Sequence, residues 1–387
     1  MKVLHLASWY PNRTGKQDGD FIQRHIRVIA EAVPSYVIHI VKDSSLKKGV
    51  EKVVTASGGV TEVVVYYNPR SVGISVVDKL ISYRVYQRLF KKEILEYVRV
   101  QGMPDLVHVH VAMRAGIGAL WLKRRAGVPF LLTEHWSGYY KQDPDNYFKR
   151  DTIFRYQTKR IIREAALVTA VSDHLSLRLS AIFGIATPAV IYNSVDTRYF
   201  FHNPSPGSVF RFIHVSNMHP IKNVEGIFKV LANLKQIRSD WKLTLVGVVD
   251  AKFRQLADTL NISEQIDWVG EIAHEEVPAQ LNGAHALLMF SHHENLSCVA
   301  CEALCCGLPV ITSGVGGMPE IVNHSNGILC RAGDEKQLLE ILVEMMDQYD
   351  RFDRSAIAAG AAEKFREAGI RAQFLALYNS ITTSVKP

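Results

Sequence analysis

Short apolar runs alternate with longer stretches of helical spacing along most of the chain. In the first half the runs fall at 2–7, 36–41, 63–66, 106–110, 129–133, 167–171 and 189–192. Between them, segments 21–32, 78–98, 115–125 and 151–164 place apolar side chains three and four positions apart. Near-continuous runs suit strands covered on both faces, with the amphipathic segments as crossover helices. His202-Asn-Pro-Ser-Pro-Gly-Ser208 interrupts the rhythm, and two prolines with a glycine read as loop. The alternation resumes with runs at 209–215, 243–247, 266–269, 286–290 and 309–312. This predicts an α/β protein of two Rossmann-like domains, 1–200 and 209–360. A linker over 201–208 and a helical tail over 361–387 complete the expected layout.

Composition narrows the class. With 387 residues, 48% hydrophobic and 21% charged, the chain can bury two cores, which excludes disordered and collagen-like proteins. Net charge is +7, but residues 1–200 carry +12 and residues 201–387 carry −5. That division points to an anionic or membrane-surface partner for the first half. Segment 78–92 has helical apolar spacing with Lys79, Arg84, Arg88, Lys91 and Lys92, a pattern that suits peripheral contact with an anionic membrane. The first apolar stretch is broken at His5 and stops at Tyr10, unlike a secretory signal, and no run is long enough to span a bilayer. Cys298, Cys301 and Cys305 fall on one helix face, so buried free thiols and a cytoplasmic setting are expected.

Ligands of open α/β sheets bind beyond the carboxyl ends of the strands. After the first run, Gly15 and Gly19 lead into a helix, where glycine lets the backbone approach an anion closely. Thr133-Glu-His135 closes another run with a polar pair. Ser216-Asn-Met-His-Pro-Ile-Lys222 offers a lysine in a strand-to-helix loop, a mobile point charge for a phosphate. The densest stretch is Ser291 to Pro309, with Glu294 before a helix, Ser297 as its expected N-cap, and Glu302 inside it. Helix-end amides flanked by two carboxylates can hold a phosphate and sugar hydroxyls together. Ser313-Gly-Val-Gly-Gly-Met-Pro319 superficially matches a dinucleotide fingerprint, but Pro319 occupies the place of its third glycine, which excludes NAD here.

In sum these residues resemble glycosyltransferase family 4, retaining enzymes of the two-Rossmann GT-B fold whose domains face a cleft. Glu294 and Glu302 match its E-x7-E signature. Pro104–His110, Thr133–His135, Ile191–Asp196 with Phe200, Cys306–Ile311 and Gly316-Gly317-Met-Pro-Glu320 match further family segments in order. The resemblance implies transfer of a sugar from a nucleotide sugar to a glycan or lipid-linked acceptor, in cell-surface polysaccharide biosynthesis. It implies that Glu294 contacts the donor sugar and Glu302 the ribose, while Lys222 and the amides of Ser297 and Cys298 hold the diphosphate. His135 would act near the reacting centre, and Gly19 would bring the first loop to the diphosphate. Leu296 and Ile272 would complete the donor site, and the tail helix would cross back to the first domain.

Two positions depart from the family. Asn217 stands where an arginine is usual, with His219 as a possible substitute, and Ser297 replaces a glycine. No cofactor or metal is expected, because a lysine and helix amides can neutralise the leaving diphosphate. Asp18-Gly-Asp20 and Asp143-Pro-Asp145 have the D-x-D spacing of metal sites, but neither directly follows an apolar run. The alternatives are a sugar-nucleotide epimerase or phosphorylase on this fold, and a non-catalytic nucleotide-sugar binder motivated by Asn217. A nucleic-acid partner is not expected: Tyr139, Tyr140, Tyr147 and Phe148 beside Lys149 and Arg150 are the nearest stacking platform, and the two carboxylates argue against it.

Overall fold

The computed structural model describes residues 1–47 and 49–384. Residues 385–387, the end of the expected tail helix, lie outside the described residues. The chain forms two α/β units. One comprises 1–171, 175–191 and the segment from 370 onward; the other comprises 172–174 and 192–369. The chain thus changes unit after Ile191, and the stretch 201–208 is part of the second unit rather than a linker. Its backbone is pinned there. Asn203 N donates to Asn282 Oδ1 at 3.0 Å, Ser205 N to Asn282 O at 3.0 Å, and Asn282 Nδ2 to Phe201 O at 3.2 Å.

The first unit holds eight strands: β1 (Val3–Ala7), β2 (Ser35–Lys42), β3 (Gly49–Ser57), β4 (Val60–Asn68), β5 (Leu106–His110), β6 (Phe130–Glu134), β7 (Leu167–Ala170) and β8 (Ala189–Val190). Their order is β3-β4-β2-β1-β5-β6-β7-β8, all parallel except β3, which pairs antiparallel with β4. Every residue of β1, β5 and β6 is buried, as expected of central parallel strands covered on both faces. The segment from 370 onward belongs to this unit. Tyr378 OH and His108 Nδ1 share a hydrogen bond of 2.7 Å, and Phe374 packs 5.3 Å from the His25 ring.

The long helix Ser75–Gln101 covers this sheet. From its fourth turn onward Tyr86, Leu89, Phe90, Ile94 and Tyr97 are buried, so most of the apolar face expected for a membrane is spent on the core. Its start keeps an exposed apolar group, Val76, Val77 and Leu80, and Leu95 and Val100 are exposed further along. No helix among the described residues is long and apolar enough to cross a membrane.

The second unit has six strands: β9 (Phe210–Val215), β10 (Trp241–Val246), β11 (Ile266–Gly270), β12 (Ala286–Met289), β13 (Val310–Ser313) and β14 (Gly327–Cys330). All are parallel, in the order β11-β10-β9-β12-β13-β14. This is the doubly wound Rossmann order, and its strand order reverses between β9 and β12. Loops leaving the carboxyl ends of those two neighbours open into one crevice, which is where a ligand is expected.

Candidate functional site

In the second unit the loops after β9 and β12 meet at the place where the strand order predicts a ligand. Beyond β9, the chain tightens through left-handed backbone at Met218 and Asn223. Asn217 Oδ1 accepts the His219 amide at 3.2 Å, and His219 Nδ1 accepts that of Ile221 at 3.3 Å. Both polar side chains at the place of the missing arginine therefore shape the turn, and the His219 ring offers an Nε2–H donor. The turn presents Lys222, whose Nζ donates to Glu294 Oε1 at 2.6 Å. His292 N donates to Ile221 O at 2.8 Å, tying the two loops by backbone as well.

Glu294 is buried and also accepts from Ser291 Oγ at 2.8 Å. The chain around it is held from two directions. Gly317 N donates to Asn295 O at 2.7 Å, and Asn193 Nδ2 donates to Leu296 O at 3.2 Å. Gly316 explains one glycine of the Gly-Gly pair. Its φ is +57°, and a Cβ there would lie 1.7 Å from Glu294 O. Only a residue without a side chain lets the two loops touch. Glu320, at the end of that motif, accepts the Asp173 and His174 amides at 2.8 Å each.

Ser297 is the N-cap of the helix Cys298–Cys305, its Oγ accepting Ala300 N at 3.4 Å. A serine in place of glycine therefore fastens the helix start, whose first amides have no acceptor within the helix. Four residues inside, Glu302 is buried and hydrogen-bonds His274 Nε2 at 2.8 Å. Glu294, Leu296, Ser297, Cys298 and Glu302 thus follow β12 in one continuous stretch, with Lys222 brought to it. Ile272, in the loop after β11, is half-buried two residues from His274. The cysteines are free thiols. Burial pushes the Cys306 thiol up to about 12 and Cys330 up to about 11, and raises Cys301 and Cys305 as well. They are packing groups.

In the first unit His135 follows β6, and its ring is buried 4.8 Å from Phe21 and 5.5 Å from His25. Burial, reinforced by His25, holds it well below the usual histidine range, so it is a neutral imidazole. Its backbone is positioned by Glu134, a residue not singled out from sequence. That buried carboxylate accepts Ala112 N and Tyr139 OH at 2.8 Å each, His135 N at 3.2 Å and Trp136 N at 3.4 Å. Gly19 starts the helix Asp20–Ala30 with φ +69°, where a Cβ would lie 2.6 Å from the Trp9 carbonyl carbon.

His5, His108 and His110 have ring nitrogens within 4.8 Å of one another. Hydroxyl partners explain much of that cluster. His108 Nε2 meets Thr133 Oγ1 at 2.7 Å, and His5 Nε2 meets Ser35 Oγ at 3.2 Å. The two D-x-D strings are likewise engaged within the unit: Asp20 with Arg24, Asp143 Oδ2 with Ser137 Oγ at 2.6 Å, and Asp145 with Arg150.

Comparison with known proteins bears on this geometry. The family described as glycosyltransferase family 4 matches residues 47–199, and that described as glycosyl transferases group 1 matches residues 195–364. N-acetyl-alpha-D-glucosaminyl L-malate synthase of Bacillus anthracis is 25% identical over 297 residues, covering 72% of this chain and 75% of its own. Among solved structures, sucrose-phosphate synthase from Thermosynechococcus elongatus superposes with TM-score 0.79 at 19% identity, covering 99% of this chain and 100% of its own. Anabaena HepE in complex with UDP superposes with TM-score 0.76 at 19% identity, covering 98% and 100%. The shared fold is the two-Rossmann GT-B fold.

Proposed function

The chain belongs to glycosyltransferase family 4, and from that premise we propose that it transfers a sugar from a nucleotide-sugar donor to a glycan or lipid-linked glycan acceptor, with retained anomeric configuration, in cell-surface polysaccharide biosynthesis. The observation that carries the donor half of this proposal is the Lys222–Glu294 pair beside the capped start of helix Cys298–Cys305. A cation, helix amides and two carboxylates on adjacent loops match what a sugar diphosphate offers: anionic oxygens at one end and hydroxyl donors at the other. HepE, whose structure holds UDP, shares the fold.

Glu294 accepts from hydroxyls of the transferred sugar, and Glu302, oriented by His274, accepts from the ribose. Lys222 and the Ser297–Cys298 end of the helix hold the diphosphate, with His219 in part filling the role left by Asn217. Leu296 and Ile272 line the donor site. As the glycosidic bond to the diphosphate breaks, negative charge grows on the leaving oxygens. Stabilising that charge is the largest contribution such a site can make. A lysine and helix dipole supply it without a metal. On the first unit, neutral His135 and Gly19, with its left-handed backbone, are the residues that the family resemblance assigns to the same reaction.

A panel of nucleotide sugars tested by thermal shift checks the donor assignment. A ligand at about one hundred times its Kd stabilises the native state by about 2.7 kcal/mol. Release of nucleoside diphosphate without acceptor then separates an enzyme from a non-catalytic binder. If no nucleotide sugar shifts the melting temperature, the donor assignment fails.

A further inference from the structure

The first unit contains a cavity of about 690 Å³ walled by aromatic rings, Tyr83, Trp136 and Phe154 among them. A second, of about 730 Å³, is walled by Ser71, Ser75 and Ser82. Both are lined by Lys42, Tyr67, Lys79 and Arg114, so these four residues stand where an aromatic space adjoins a polar one. No carboxylate lies within ion-pair distance of Lys42, Lys79 or Arg114 among the described residues. Asp18, Asp145 and Asp151 line the aromatic space and Asp78 the polar one, where Asp78 accepts from Ser71 Oγ at 2.6 Å and Val72 N at 2.7 Å and its charge also acts on Lys42. In the polar space three cations face one carboxylate, and that excess of positive charge suits an anion.

The mouth of the same aromatic cavity is apolar. Val76, Leu80 and Ile153 line it while remaining 68%, 47% and 61% exposed. Val76 and Leu80 precede the part of their helix that packs on the sheet, so the core does not account for them. A free sugar phosphate would satisfy the cations and leave this rim in water. A ligand carrying a hydrocarbon chain next to its phosphate satisfies both.

We propose that Lys42, Lys79 and Arg114 form the anion subsite for a lipid-linked phosphate or diphosphate acceptor, whose hydrocarbon chain crosses Val76, Leu80 and Ile153. This rests on the glycosyltransferase assignment for its meaning as an acceptor site, though not for the binding itself. It also replaces a general attraction of the basic helix to membranes with a site for one headgroup class.

The test is co-sedimentation of the full chain with phosphatidylcholine vesicles carrying a polyprenyl phosphate. Control vesicles are brought to the same surface charge with phosphatidylglycerol. Retention is expected to be greater on the polyprenyl phosphate vesicles, and to fall about fivefold in Lys79→Ala and again in Arg114→Ala, the effect of one cation near a lipid phosphate. Both variants should keep the wild-type melting temperature and the shift induced by UDP. Val76→Ser with Leu80→Ser should lose vesicle retention while a water-soluble short-chain isoprenyl phosphate still binds. Equal retention on both vesicle types, wild-type retention by the variants, or equal response to inorganic phosphate alone would overturn the subsite. If vesicle binding behaves as expected while no nucleotide sugar binds or is hydrolysed, the glycosyltransferase assignment fails and the anion subsite stands.

Discussion

The ammonium of Lys222 lies 2.6 Å from Oε1 of Glu294. Two groups assigned to opposite ends of a donor therefore hold each other. The pair keeps a charge in the crevice without leaving either ion unsatisfied, since a lone buried carboxylate would be costly. An arriving diphosphate can draw Lys222 away, and Glu294 keeps its bond from Ser291 Oγ.

Lys222→Ala and Glu294→Ala are expected to abolish measurable transfer while the protein still folds. For Lys222, removing one positioned donor to a developing anion costs about a hundred- to thousandfold in kcat. Wild-type turnover in either variant, with circular dichroism unchanged, would show that the site is elsewhere.

Glu302 should behave differently. Its partner His274 lies 2.8 Å away, and its assigned contact is the ribose, remote from the breaking bond. Glu302→Gln should therefore raise the donor KM about tenfold and lower kcat less, the signature of lost uniform binding. A kcat loss as deep as that of Glu294→Ala would place Glu302 at the reacting centre instead.

Much of this was legible in the chain itself. Central strands such as Leu106–His110 read as apolar runs because both faces are covered. The edge strand Gly49–Ser57 did not, because it is exposed along most of its length and mixes valines with Glu51, Lys52 and Thr55. Glu294, Ser297 and Glu302 were visible as a spacing because one loop and one helix carry all of them. Lys222 and His274 reach those carboxylates from 72 and 28 residues away, through strand order rather than local pattern. Glu134 was hidden for a related reason. Nothing in Thr133-Glu-His135 shows that its carboxylate would be buried and gather the amides of two separate loops.

Transfer should survive EDTA. The proposed neutralisation of the leaving group uses Lys222 and helix amides, and Asp20, Asp143 and Asp145 are engaged with Arg24, Ser137 and Arg150. Loss of activity on chelation, with recovery on adding manganese, would overturn this.

Stability should fall steeply in mild acid. Burial lowers His5 to about 3 and His39 to about 4, and holds His108, His110 and His135 well below the usual range. These side chains are neutral in the fold but protonate in the unfolded chain near pH 6.5. Below that value the unfolded state binds more protons, so stability drops as pH falls, by about 1.4 kcal/mol per histidine per pH unit until the folded-state pKa is reached. Glu134 acts in the opposite sense, because burial raises its carboxyl, but it is one group against several. Melting temperatures from pH 7.5 down to 5 measure the slope. His5→Gln should flatten it, and a curve independent of pH would contradict the neutral cluster.

Gly316→Ala tests whether the Gly-Gly motif serves the donor loop. At φ +57° a side chain costs about 1–2 kcal/mol in backbone strain alone. The added Cβ would also sit 1.7 Å from Glu294 O, so the loop after β12 must move. Since Asn193 and Gly317 anchor the neighbouring Leu296 and Asn295, the movement should concentrate on Glu294 itself. The variant should melt lower and lose donor-induced stabilisation together. Gly333→Ala, whose φ is +76° but whose Cβ would meet nothing within 4 Å, supplies the control for strain without contact. If both variants bind donor equally well, the contact between Gly316 and the Glu294 backbone does not position the carboxylate.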